Sequence, residues 1–524
     1  MAKKAKVLDL DDLAKELNGL RLKNARIVQC HGVFDLLHVG HVRHFEQAKR
    51  LGDILVVTLT PDCYVNKGNG RPAFPEGLRA EVVASLDSVD YVAINRWPSA
   101  CETIRLLRPN FFVKGDEFKD LKDTINHVNL EEEAVRMIGG QIAFTKDITF
   151  SSSALINQYL SAYPNEVKEF VADFSRQFAP DEILSYLKKA SGLKVLVIGE
   201  TIIDEYQFCD VMGKSGKEPV LATKYVHTDR FGGGVLACAN HLAGFCDRVD
   251  LVTYLGEGGD QEEFVRANLK ANVQPTFFNK PKSPTIVKLR FVEPYLSQKL
   301  FEVYHMNDDP LAGEENDRFC EHLAKIVPDY DVVIVADYGH GILTNEAIRV
   351  LCDKSRFLAV NTQANAGNSG LSTISKYPRA DYVCLATREF ALETRDRNMS
   401  SENQVLAVAQ KLQCRNLMST LGRDGSLTYN EGLGFARVPA FATKIIDRVG
   451  AGDAVLCLTS LCVALGAPPE IVGFIGNVVG AEAVAIMGNQ RSIERVPLFR
   501  HIECLLKLHN AAAENVVSKI KIAA

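Results

Sequence analysis

Short apolar runs alternate with helix-patterned stretches along this chain, and that alternation narrows its fold more than any single motif does. Between residues 25 and about 160, Ile54-Leu55-Val56-Val57-Thr58-Leu59, Tyr91-Val92-Ala93-Ile94, Phe111-Phe112-Val113 and Gln141-Ile142-Ala143-Phe144 read as strands. Helices such as Val42–Leu51, closed by Gly52, and Gly77–Leu86 lie between them. This order predicts an α/β, doubly wound domain: a parallel sheet with helices on both faces and ligands beyond the carboxyl ends of its strands. A fresh strand, Lys194-Val195-Leu196-Val197-Ile198-Gly199, opens a second α/β domain. Residues 205–230 and 284–306 break the rhythm and read as antiparallel ribbons, suited to covering a substrate cleft or pairing two subunits. The expected organisation is a helical lead-in over 1–24 and a first domain over 25–162. A charged helical linker over 163–192, punctuated by Pro164 and Pro180, then leads to a second domain over 193–510 and a tail over 511–524.

A chain of 524 residues exceeds what one hydrophobic core usually organises, so two or three domains are expected. The net charge of −5 provides no global attraction for nucleic acid or an anionic membrane, so neither is expected as a partner and any affinity for phosphate must be local. None of the 13 cysteines forms a CxxC pair, which points to reduced thiols in the cytoplasm and away from a zinc or redox site. The basic start Met1-Ala2-Lys3-Lys4-Ala5-Lys6 precedes no apolar h-region and does not read as a signal peptide. The apolar stretch Val449 to Met487 carries Asp453, Pro468, Pro469, Glu470 and Glu482, and reads as buried helices broken by a turn.

The run Arg26–Asp35 leads into His38-Val39-Gly40-His41, where a strand gives way to a helix. Gly40 lets a phosphate approach the backbone, the helix start offers free N–H groups, and both imidazoles can donate to phosphate oxygens. Such equipment holds a nucleoside triphosphate while its α-phosphate is attacked. Together with Gly32-Val33-Phe34-Asp35, Lys67-Gly68, Arg71-Pro72, Val113-Lys114-Gly115-Asp116 and Ser151-Ser152-Ser153, the motif resembles the cytidylyltransferase-like nucleotidyltransferases across residues 25–160. Within them it is most similar to the adenylyltransferase halves of bifunctional heptose kinase/adenylyltransferases, with the domain order reversed. The resemblance implies a Rossmann-like fold and an anionic sugar-phosphate nucleophile that needs no general base. It implies that His38 and His41 neutralise charge on the α-phosphate, a single imidazolium or lysine contact carrying ~2–4 kcal/mol. Lys67 would meet the triphosphate, while Gly32, Val33, Phe34, Gly40, Lys114, Gly115, Asp116 and the serine turn would hold nucleotide. Mg²⁺ would ride on the nucleotide, with no metal ligands from the protein. Lys146, where some relatives have arginine, and Phe150 before the serines leave ATP or CTP open. His31 and His44 read as structural or exposed.

Asp447-Arg448-Val449-Gly450-Ala451-Gly452-Asp453 precedes the apolar helix Ala454–Leu465. Small residues at a helix start let backbone N–H groups converge on a transferring phosphoryl group. A sugar hydroxyl needs deprotonation, and Asp453 is the candidate base. The segment resembles the ribokinase-like (PfkB) sugar kinases across residues 193–505, with Glu200-Thr201-Ile202-Ile203-Asp204, Gly232-Gly233-Gly234, Ala336-Asp337-Tyr338-Gly339-His340-Gly341 and Ser419-Thr420-Leu421-Gly422-Arg423-Asp424-Gly425 as further matches. It implies an α/β/α sandwich with a β lid. Asp204, Gly233 and Gly234 would lie at the sugar; Glu389, Thr420, Gly422, Gly450, Ala451 and Gly452 would lie at ATP with Mg²⁺. Departures are Ala237 and His241 in place of asparagines, Asn361-Thr362-Gln363 in place of Asp-Pro-Lys, and Ala386-Thr387-Arg388-Glu389 in place of Asn-x-x-Glu.

Two whole-chain readings follow. In one, a kinase phosphorylates a sugar or sugar phosphate and a nucleotidyltransferase turns it into an ADP-heptose-like nucleotide sugar. In the other, an active nucleotidyltransferase, ATP- or CTP-dependent, is fused to a silent sugar-binding kinase fold. Cytidylylation of a polyol or aminoalcohol phosphate is a further option at the first site. In each the partners are a nucleoside triphosphate, a sugar or sugar phosphate, and a second copy of the chain in a homodimer or higher homo-oligomer.

Overall fold

The computed structural model describes residues 6–65, 71–115, 127–145, 163–295 and 298–506. Lys67, Asp116, Lys146, Phe150, Ser151, Ser152, Ser153 and the expected tail lie outside the described residues. The chain divides into two units, one reaching to residue 162 and taking in Cys504 onward, the other Tyr163–Glu503.

In the first unit, β1 (Lys6–Val7), β2 (Ile27–Gly32), β3 (Ile54–Leu59), β4 (Tyr91–Ile94), β5 (Phe111–Gly115) and β6 (Gln141–Thr145) form one sheet in the order β1-β4-β3-β2-β5-β6. All its pairings are parallel. The strands are near-continuous apolar runs because both faces are covered: Leu55, Val56, Val57 and Leu59 are all buried. Winding reverses between β2 and β5, so their carboxyl ends, Gly32 and Gly115, flank the switch point where such sheets bind ligands. The lead-in is part of this layer. Lys6–Val7 pairs with β4, and the helix Leu10–Arg21, capped by Asp9, buries Leu10, Leu13 and Leu17.

In the second unit, nine strands run β11-β10-β7-β14-β15-β16-β17-β18-β19. They are β7 (Val195–Gly199), β10 (Val249–Leu255), β11 (Val273–Asn279), β14 (Val332–Asp337), β15 (Leu358–Thr362), β16 (Tyr382–Ala386), β17 (Asn416–Thr420), β18 (Ser426–Asn430) and β19 (Gly434–Val438). Pairing is parallel from β11 to β17 and antiparallel at the β18–β19 edge. The reversal here falls between β7 and β14. The expected ribbons form a separate sheet, β13-β12-β8-β9, from β8 (Thr201–Lys214), β9 (Leu221–Gly234), β12 (Ile286–Glu293) and β13 (Gln298–His305). Each ribbon is antiparallel, and a parallel β8–β12 pairing joins them.

Residues 163–192, expected as a linker, belong to the body of the second unit. The helices Asn165–Gln177 and Pro180–Lys189 bury Val167, Val171, Phe174, Ile183, Leu184 and Leu187. Phe174 stacks on Phe474, with ring centroids 4.4 Å apart. The high charge of this segment marks the outer face of two amphipathic helices.

Candidate active sites

The first site is built around the end of β2. The helix expected from Val42 starts at Val39, because His38 in extended conformation caps it: its Nδ1 accepts the Gly40 N–H at 3.2 Å. His41 Nδ1 in turn accepts the His38 N–H at 3.4 Å, and the two rings lie 3.9 Å apart between centroids. A ring nitrogen that accepts a backbone N–H carries no proton, so each imidazole holds its proton on Nε2. Burial also pushes the His38 pKa below the usual imidazole value. For His38 both the cap and burial favour the neutral ring, where the sequence reading counted on an imidazolium contact. Phe34, at φ 47°, lays its ring edge-on to His41 at 5.4 Å, and a Cβ on Gly32 would meet that ring at 2.9 Å. Gly32 is therefore glycine to seat Phe34 beneath the histidine pair. Val33 contributes its carbonyl to Arg79, a fully buried side chain that also holds the carbonyls of Thr60 and Phe74 and pairs with Asp62.

Across the switch point Lys114 ends β5 beside Gly115, and its ammonium pairs with the buried carboxylate of Glu131. His31 and His44 are structural. His31 bonds Thr58 at 3.0 Å and Thr60 at 3.3 Å, His44 bonds Thr145 at 2.7 Å, and burial pushes each down to about 4. Arg79, Glu131 and the capping role of His38 left no signal beyond ordinary helix and loop composition.

The second site lies at the start of the helix Ala451–Ala464. Gly450 caps it at φ 80°, where a Cβ would collide with Asn489 Oδ1 at 2.1 Å; Ala451, Gly452 and Asp453 form the first turn. Asp453 is buried and its Oδ1 accepts from Tyr338 Oη at 2.9 Å. Burial pushes its pKa up to about 7, with Asp204 and Glu389 adding repulsion and Tyr338 and Lys288 opposing. Asn489 Nδ2 donates to Asp204 Oδ2 at 3.0 Å while its Oδ1 lies against Gly450, so one asparagine sits between the expected sugar carboxylate and the expected phosphate loop. A Cβ on Gly233 would strike the same Asp204 oxygen at 2.0 Å, and Gly234 takes φ 56° where β9 turns into the helix Val235–Ala243. Arg290 on β12 pairs with Asp204 and with Glu302 at 3.1 Å. Although burial opposes its charge, Asp204 holds the Arg290 pKa above the usual guanidinium value. Burial pushes Lys288, on the same face of β12, below the usual lysine value.

Asp447, which opens the segment expected to hold phosphate, accepts from Lys299 at 2.6 Å, Tyr206 Oη at 2.7 Å, and the N–H groups of Arg448, Val449 and Gly488 at 2.7, 3.1 and 3.0 Å. Burial disfavours its charge, yet Lys299 and Tyr206 hold its pKa below the usual carboxylate value. Glu200 accepts the N–H groups of Tyr338 and His340, both at 3.0 Å; burial and Asp337 push it up to about 7.

The residues expected on the nucleotide side stand at the ends of β16 and β17, where Ala386 pairs with Thr420. Thr420 accepts from Thr387 at 3.1 Å, and Gly422, at φ 63°, has open space around it. Glu389 turns its carboxylate back onto the backbone, taking the Ala386 N–H at 2.6 Å and the Ala364 N–H at 3.2 Å. Ala237 and His241 are buried in the helix Val235–Ala243, and His241 Nδ1 accepts the Ile493 N–H at 2.9 Å. Asn489, Arg290, Lys288 and the Tyr338 hydroxyl were not singled out by sequence; Asp447 stood in the quoted motif without a role. Among the described residues, no group of three or more His, Cys, Asp or Glu side chains is arranged to hold a metal ion, and no helix is long and apolar enough to cross a membrane.

Residues 193–495 match the pfkB family carbohydrate kinase model and residues 30–158 the cytidylyltransferase-like model. Among curated proteins, the bifunctional protein HldE of Desulfatibacillum aliphaticivorans is 35% identical over 160 residues, 30% of this chain and 32% of that one. HldE of Geobacter metallireducens is 34% identical over 168 residues, 31% and 32% of the two chains. The chain thus spans about a third of the length of the curated relatives it matches. Phosphofructokinase-2 from Escherichia coli, solved with potassium, is 15% identical and aligns with a TM-score of 0.49 over 60% of this chain and 99% of that one.

Proposed function

The chain belongs to the pfkB family of carbohydrate kinases, and from that premise we propose a bifunctional transferase that phosphorylates a sugar or sugar phosphate and activates a sugar phosphate as a nucleotide derivative. The observation that carries the kinase half is Asn489: it joins Asp204, the expected acceptor-side carboxylate, to Gly450 of the phosphate loop. Acceptor and phosphoryl group would meet there, with Asp453 as base and the N–H groups of the first helical turn facing the charge that develops on the γ-phosphate. ATP and Mg²⁺ would enter together as substrate.

At the first unit, His38 and His41 would donate Nε2–H bonds to an α-phosphate held at the switch point between β2 and β5. The nucleophile is a sugar phosphate oxygen, anionic without help, so bringing the anions together is the main task. The nucleotide base, ATP or CTP, and an ADP-heptose-like product are part of this reading. We place the protein in the cytoplasm, in keeping with its thirteen free cysteines. A second copy would pair on the outer face of the covering sheet, where Val211, Met212, Val220, Leu221, Tyr225 and Val226 are exposed.

The silent-kinase reading draws support from Glu389, whose carboxylate is engaged by backbone N–H groups. One experiment separates the two. The protein is given ATP or CTP with a panel of sugars and sugar phosphates, and ADP formation and pyrophosphate release are followed separately. Asp453→Asn is expected to lower acceptor-dependent ADP formation about a thousandfold and spare pyrophosphate release. His41→Ala is expected to do the reverse, by about a hundredfold. A wild type that forms no ADP with any acceptor sinks the kinase half.

A further inference from the structure

Tyr338 stands just beyond β14 and is 2% exposed. Its hydroxyl has one proton, given to Asp453 Oδ1, so its oxygen is left to accept from the Cys238 thiol 3.7 Å away. The backbone is held from two sides. The Tyr338 N–H donates to Glu200 at 3.0 Å, and its carbonyl accepts from Asn365 at 2.9 Å and Asn368 at 2.8 Å. No described residue donates to Oδ2 of Asp453, so the two carboxylate oxygens differ.

We propose that Tyr338 is a positioning residue for phosphoryl transfer: by filling Oδ1 it leaves Oδ2 as the oxygen that meets the acceptor hydroxyl. The inference rests on the kinase reading above. In the step, Oδ2 takes the hydroxyl proton and the acceptor oxygen bonds to the γ-phosphorus of ATP. The bond from phosphorus to the bridging oxygen breaks, its electron pair leaves on ADP, and the proton passes from Asp453 to solvent as products depart.

Packing alone does not account for the hydroxyl, since phenylalanine fills the same space. The groups facing Asp453 define its effect. Asp204 from β8 and Glu389 from the helix Thr387–Thr394 disfavour a charged carboxylate, while Lys288 from β12 and Tyr338 favour it. The thiols of Cys384 on β16 and Cys457 on Asp453's own helix also face it, and burial keeps both protonated. With the carboxyl already raised to about 7, losing one donor moves its titration through the neutral range.

The test is Tyr338→Phe against wild type, each measured as acceptor-dependent ADP formation between about pH 6 and about pH 9. The acidic limb of kcat/KM is expected to move up by about one pH unit, with rates converging at the alkaline end and the KM for ATP unchanged. A uniform loss at all pH values, or superimposable profiles, overturns the proposal. A second measurement does not need turnover: the carboxyl infrared band assigned by subtracting the Asp453→Asn spectrum is titrated in wild type and in Tyr338→Phe. A higher midpoint in the variant supports the role, and equal midpoints overturn it. A wild type that forms no ADP with any acceptor is the separate failure of the kinase reading, and the infrared titration is still decided.

Discussion

Lys299 donates to Oδ1 of Asp447 at 2.6 Å and thereby ties the β13-β12-β8-β9 sheet to the segment that carries Gly450 and Asp453. Tyr206, from the same sheet, takes the other oxygen of that carboxylate. One buried carboxylate therefore joins two strands of the β13-β12-β8-β9 sheet to the segment that leads into Gly450.

Lys299→Met is expected to raise the KM for acceptor about tenfold, by releasing that tie, and to lower the melting temperature, though less than Asp447→Ala, because it leaves the buried Asp447 carboxylate without its cation but keeps the Tyr206 and backbone N–H bonds. Asp447→Ala leaves Tyr206 and three backbone N–H groups without their acceptor, at about 1–3 kcal/mol for each group left unsatisfied. Kinetics and thermal melts of both variants check the contrast; equal melting temperatures contradict it.

His38 caps its helix through Nδ1, and in the proposed reading it donates from Nε2 of the same ring. His38→Asn is expected to keep the cap and lose about a hundredfold in pyrophosphate release, whereas His38→Ala also loses about 1 kcal/mol of stability. The pH profile has a definite sign. With the pKa held below its usual value by burial, His38 keeps the Nδ1 lone pair that caps the helix above about pH 6.5 and loses it toward acid, and activity is expected to follow the cap. An alkaline loss would restore the imidazolium.

His241 is pushed down to about 3 by burial, with Lys270 adding to it. The folded state therefore binds fewer protons than the unfolded one, so its contribution is full above about pH 6.5 and fades as pH falls. His241→Asn keeps an oxygen for the Ile493 N–H and does not titrate. It is expected to remove roughly 2 kcal/mol of the stability lost between about pH 6.5 and about pH 5. Denaturant melts at the two pH values measure this, and an unchanged loss refutes it.

Phe174→Ala opens a gap against Phe474 and is expected to cost roughly 3–5 kcal/mol in the second unit. A chain beginning at residue 193 should melt below one beginning at 163. Equal melting would return 163–192 to the status of a linker.

The two helix starts proposed to bind phosphate were readable as helix starts because their signals are local: glycine and helix-start residues lie within a few positions of one another. His38 to His41 and Gly450 to Asp453 sit where that reading put them, at helix starts. The boundaries moved where a side chain did something composition does not reveal, as when His38 capped its helix and started it at Val39. The segment 163–192 was misjudged because its charge is conspicuous and the apolar stripe beneath it is not.

Strand alternation, the two-unit plan and the residue types at each site were determined by the sequence alone, because backbone propensity and short-range periodicity are written locally. What those residues touch was decided by tertiary structure. On β12, Val287, Leu289 and Phe291 alternate with Lys288 and Arg290, and it is the two cations that turn inward, because the space they enter is lined by Asp204 and Asp453. Asn489 shows the same limit. Its role arises only when Asp204 and Gly450, far apart in the chain, are folded to either side of it, since an amide's partners are set by what the fold brings within hydrogen-bond reach.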